Sequence, residues 1–183
     1  MLDLAFFHPD ERTECADEIF GVVGRALTLA THYDMNCKSL ANVLDFKENI
    51  HLLNDKESFD ALLEQLQKRQ LKRSIDKFTS EITKGLKAGE QSDEVVDALQ
   101  QTVFACLNEG REARNEIAHE IAMNLSAHSE DESVIDRIRE LVPKIAKADF
   151  YIAGFIENHI NKAGVSPSME AFVDYAVKWV CEI

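Results

Sequence analysis

Three side chains within six residues, Arg114, Asn115 and His119, bring a permanent cation, an amide and an imidazole onto one short stretch. Arginine presents a rigid fork of donors that matches a phosphate, and imidazole changes protonation state near neutral pH. Together they suit phosphoester chemistry, in which one group holds an anion while the other moves a proton. On an α-helix Asn115 and His119 share a face. His119 lies about 140° around the axis from Arg114 and about 7.5 Å along it, so the two meet on one phosphate only if the long arginine curls across. Val96, Val103, Leu107, Gly110, Ile117 and Ile121 recur at helical spacing as an apolar stripe, and Arg114 falls near its middle. A charge there calls for an interface, a cleft or a carboxylate. The plainer reading pairs Arg114 with Glu109, Glu112 or another acid and leaves His119 as an ordinary, partly exposed helix residue.

The stretch Arg114-Asn115-Glu116-Ile117-Ala118-His119 resembles the R-N-x-x-x-H signature of the HEPN superfamily (higher eukaryotes and prokaryotes nucleotide-binding domains). The resemblance covers the motif and its helical setting. It implies an all-helical bundle that dimerises so that the motif helices of two subunits meet. It also implies, in active members, metal-independent cleavage of single-stranded RNA, in toxin-type members under the control of an antitoxin. His119 would then handle the proton of the ribose 2′-hydroxyl or of the leaving oxygen, Arg114 would hold the scissile phosphate, and Asn115 would orient the site. Some toxin-type members carry a tyrosine two residues after the histidine. Ile121 stands there in this chain, so control by modification of that tyrosine is not implied.

Helical periodicity runs through nearly every segment and alternating β-branched runs are absent, so the fold expected is all-α, an up-and-down helical bundle with additional terminal helices in one domain over 1–183. A first helix is expected over about 9–32, opened by Pro9 and the acids Asp10 and Glu11, and a shorter one over about 39–53, with 33–36 as the break between them. After a turn at Asn54-Asp55, a third carries Phe59, Leu62, Leu63 and Leu66 and continues through Ile75, Phe78, Ile82 and Leu86 to Gly85 and Gly89. The motif helix spans about 92–125, opening at Ser92. Gly110 within it either bends the helix or permits close packing against another. A helix over about 133–162 contains Pro143, which should kink or divide it. A terminal helix bears Phe172, Tyr175, Ala176, Trp179 and Val180, read as packing residues and not as a base-stacking platform.

Hydrophobic residues make up 45% and charged residues 29% of the 183, ordinary for a globular chain. No apolar run approaches the ~20 residues a membrane helix needs, and the start lacks the basic flank of a secretion signal, so a cytoplasmic location is expected. Cys15, Cys37, Cys106 and Cys181 stand singly, without zinc or redox spacing, and are read as reduced, mostly buried thiols. A net charge of −13 opposes binding to a polyanion unless positive charge is concentrated locally. Lys68, Arg69, Lys72, Arg73 and Lys77 form the one candidate RNA-binding patch, against the plainer reading as a solvated face balanced by acids elsewhere.

A second constellation competes. Glu48-Asn49-Ile50-His51 and Glu116-Ile117-Ala118-His119 are both Glu-x-x-His, and with acids such as Glu14 or Glu18 and Glu81 or Glu94 they could supply the ligands of a di-iron carboxylate bundle. There is no phosphate-binding glycine loop, nucleophile elbow or zinc-protease motif. The reading favoured is a homodimeric endoribonuclease of this resemblance, needing no metal or cofactor. A helical protein-interaction module is the alternative, and the di-iron bundle a lesser one.

Overall fold

The computed structural model describes residues 13–88, 92–125, 131–157 and 167–182. Six α-helices account for most of them: α1 (Glu14–Glu48), α2 (Lys56–Gln67), α3 (Leu71–Ala88), α4 (Asp93–Asn115), α5 (Ser133–Ile156) and α6 (Met169–Cys181). Among the described residues there is no strand, so the molecule is the all-α bundle its periodicity demands. None of these helices is long and apolar enough to cross a membrane.

The core lies where α1, α4 and α5 converge. Helix α5 packs on α4, α1 and α6, while α3 covers the open side against α4 and α1. Ile19, Val23, Ala26, Tyr33, Leu40, Leu107, Ile117, Ile138, Ile145 and Ile152 are buried in one cluster. Phe78 of α3 meets the edge of Phe155 with centroids 5.0 Å apart, and Phe150 leans on Phe172 of α6 at 5.8 Å. Arg25 Nε donates to the Val180 carbonyl at 2.9 Å, tying the end of α6 to α1 where a cation suits the helix dipole. Of the terminal aromatics, Phe172 and Trp179 pack on the core, whereas Tyr175 is exposed.

Several boundaries differ from the periodicity-based expectation. Residues 33–36 are not a break: α1 runs unbroken for 35 residues from its Thr13 cap, whose hydroxyl accepts from Ala16 N–H. Tyr33 is buried, and its hydroxyl donates to the Leu107 carbonyl at 2.8 Å, so a residue that resembles a turn in sequence is satisfied by α4. Pro9, Asp10 and Glu11 lie outside the described residues, as do Gly89 and the stretch 158–162. The expected third helix is two: α2, capped by Asp55, ends at Gln67, and α3 starts at Leu71. Pro143 does not divide α5, which is continuous from Ser133 to Ile156. Gly110 does not interrupt α4. A Cβ there would come within 2.5 Å of the Ala148 Cβ, so glycine lets α4 and α5 approach closely.

Candidate functional site

The motif segment leaves α-geometry. Helix α4 ends at Asn115 and a π-helical turn covers Glu116–Ile121, with Ala122 N–H bonded to the Ile117 carbonyl at 3.0 Å in an i→i+5 register. Such turns are rare and recur at functional sites. The consequence is geometric. A wider turn lessens the rotation between residues five apart, so the 140° separation expected of an ideal α-helix narrows. Arg114 Nη1 reaches His119 Nε2 at 3.3 Å and donates to Asn115 Oδ1 at 3.1 Å. Because guanidinium has no acceptor, a hydrogen bond across this contact would use the lone pair of Nε2. The three residues singled out in the sequence are therefore one contiguous cluster, with His119 exposed and Arg114 half-buried.

Two long-range contacts anchor the cluster. Arg137 of α5 grips Glu116 with a two-point fork, Nη2 to Oε2 at 2.8 Å, and this holds the Glu116 carboxyl below its ordinary range. From the other side Asp34 of α1 faces the guanidinium, Oδ2 to Arg114 Nη2 at 3.5 Å, and the same oxygen accepts from Lys38 Nζ at 2.8 Å. Arg114 is thus paired with a carboxylate distant in sequence and not with Glu109 or Glu112. Neither Asp34 nor Lys38 was found by sequence reasoning. Their i,i+4 spacing was the available signal, but it is hidden when residues 33–36 are taken as a turn.

The five basic residues of the candidate patch are mostly committed to acids. Arg69 is nearly buried and paired with Asp45 of α1, while Lys77 bridges Asp45 at 3.2 Å and also meets Glu48. Lys68, just past the end of α2, pairs with Glu64 one turn back. Lys72 and Arg73 are exposed. The run therefore clasps α2 and α3 onto α1, with its charge largely balanced.

The two Glu-x-x-His segments do not converge. Glu48 is held by Lys77 and by Lys84, the latter at 3.2 Å, and Glu116 by Arg137. Among the described residues no three His, Cys, Asp or Glu side chains gather as a metal ion requires. Burial pushes the Cys37 thiol up to about 12, as befits an inert core thiol.

Comparison with protein-family models, with characterised proteins and with solved structures finds no match for this chain.

Proposed function

We propose that this chain is a HEPN-like, metal-independent endoribonuclease for single-stranded RNA, of toxin or defence type, working in the cytoplasm as a homodimer. One observation carries the reading: the π turn that sets Arg114 Nη1 3.3 Å from His119 Nε2 at an accessible surface. Arg114 binds the scissile phosphate. Drawing the guanidinium onto the phosphate frees the Nε2 lone pair, which then takes the proton of the ribose 2′-hydroxyl. The 2′-oxygen attacks phosphorus, the bond to the 5′-oxygen breaks, and the products carry a 2′,3′-cyclic phosphate and a 5′-hydroxyl. Asn115 holds the arginine in register through the 3.1 Å bond. A single imidazole cannot accept one proton and deliver another in the same step. A second copy across a two-fold contact supplies the second His119 and makes the site composite.

The test is cleavage of a fluorescent single-stranded RNA in the presence of a chelator. Native protein should cut it and leave cyclic-phosphate ends, while His119→Ala should be inactive yet folded. Cleavage undiminished in His119→Ala, or none by native protein at any concentration that supports dimers, refutes the reading. The alternative, a helical protein-interaction module, is favoured by the commitment of Arg69 and Lys77 to Asp45, which leaves an acidic chain with few cations for RNA. Stable capture of a basic protein partner by a His119→Ala variant, with no nuclease activity in the native chain, would favour that alternative.

A further inference from the structure

The described residues contain four buried polar or charged side chains, Asp34, Ser74, Thr79 and Asp149. Three of them have evident local uses. Ser74 and Thr79 donate to carbonyls one turn back, at Gln70 and Ile75. Asp149 takes the Asn36 amide on one oxygen at 2.9 Å and the His32 imidazole on the other at 3.2 Å. Asp34 differs. Its Oδ2 accepts from Lys38 and faces Arg114 Nη2 in an ion pair at 3.5 Å, whereas Oδ1 is buried and has no hydrogen-bond partner among the described residues. Keeping a buried acceptor unused is costly, and an i,i+4 lysine pair at the helix surface returns far less than that. The lysine pair does not account for an aspartate here, and its other ionic partner is Arg114.

Asp34 faces the guanidinium across an ion pair, from the side opposite the chemistry. Nη2 turns to Asp34, and Nη1 is left to Asn115 and His119. An arginine side chain has many rotamers, and a fork aimed at a phosphate works only if they are restricted. We propose that Asp34 is the positioning residue of this site: a carboxylate delivered by α1 that aims Arg114 at the substrate phosphate. The proposal rests on the nuclease reading of the same cluster. Asp34 does not touch substrate, and it acts through Arg114.

The experiment compares native protein with Asp34→Asn, Asp34→Glu and Asp149→Asn. The last variant alters a still more deeply buried carboxylate that joins the opposite face of α1 to α5, so it reports the effect of lost stability alone. Two readouts are taken at a temperature where urea unfolding shows all four folded. The first is turnover of single-stranded RNA. Asp34→Asn should lower kcat about 100-fold, a fall larger than any rise in KM, with partial rescue in Asp34→Glu and little loss in Asp149→Asn. The second is the 15N spectrum of arginine side chains, where the Arg114 signals should report slow rotation of the guanidinium in native protein and free rotation in Asp34→Asn. Unchanged Arg114 signals in Asp34→Asn overturn the proposal whether or not the native protein cuts RNA. Equal losses in Asp34→Asn and Asp149→Asn also overturn it. Released Arg114 signals with no cleavage by native protein refute the nuclease reading, and uphold Asp34 as the residue that fixes Arg114.

Discussion

Replacing Gly110 by alanine tests how closely α4 and α5 approach behind the motif. The added Cβ falls 2.5 Å from the Ala148 Cβ and 3.4 Å from both the Lys144 carbonyl oxygen and Tyr33 Cζ, where ordinary contact starts at 3.4 Å. Both methyl carbons sit directly on backbone, so no rotamer change relieves the clash and the helices must part by about an ångström. Overpacking of this kind costs about 1–3 kcal/mol, and a rigid contact between two helices belongs in the upper half of that range. Removing glycine from a helix interior returns about 1 kcal/mol. The net loss is about 1–2 kcal/mol, or about 2–8 °C in Tm for a chain of 183 residues. Ala148→Gly alone should cost about 1 kcal/mol through helix propensity. The double variant removes the clash while the two propensity changes offset, so it should return close to native stability. Urea unfolding of the four proteins, followed by circular dichroism, gives the coupling energy, expected at about 2–3 kcal/mol. A Gly110→Ala protein as stable as the native one, or a double variant no better than the sum of the singles, refutes the reasoning.

Other outcomes follow from the same geometry. Tyr33→Phe removes the buried hydroxyl bond to the Leu107 carbonyl and should lower stability by about 1 kcal/mol in the same unfolding assay. Asp45→Asn leaves Arg69 nearly buried without its carboxylate and should destabilise by about 3 kcal/mol, well above the effect of Glu64→Gln at the exposed Lys68 pair. Hydrogen bonds from Lys77 and Lys84 hold the Glu48 carboxyl at about 2, below its ordinary 4.5. Its folded value is the depressed one, so its stabilising effect is complete above pH 4.5 and lost as pH falls toward 2. Glu48→Gln should flatten the urea midpoint across that window, and added salt should shrink the difference because Glu48 and Lys84 are exposed.

Much of this molecule was legible before any coordinates. Periodicity alone requires helices, because apolar residues at i, i+3, i+4 and i+7 can be buried together only on that geometry. Of the expected stripe, Val96, Val103, Leu107, Gly110 and Ile117 are buried and Ile121 is partly buried, and the glycine in it marks a close approach. The Arg114–Asn115–His119 cluster was visible as residue types on one short stretch. Boundaries were less legible. The polar run around Tyr33 and Asn36 resembles a turn, yet it is helix because Leu107 and Asp149 satisfy those side chains from α4 and α5. Likewise, the basic run at 68–77 resembles a nucleic-acid surface until Asp45 and Glu48 are seen opposite it.

Composition and spacing by themselves determined the helical class, the core stripe and the residues able to do chemistry, since each depends on short-range periodicity and side-chain type. Tertiary structure decided the rest. The grip of Arg137 on Glu116 and the carboxylate of Asp34 depend on helices distant in sequence, and the π turn that sets Arg114 beside His119 departs from the α-geometry that periodicity leads one to expect. The meeting of far-apart charges is settled by what packs against the segment, and local sequence carries no record of those neighbours.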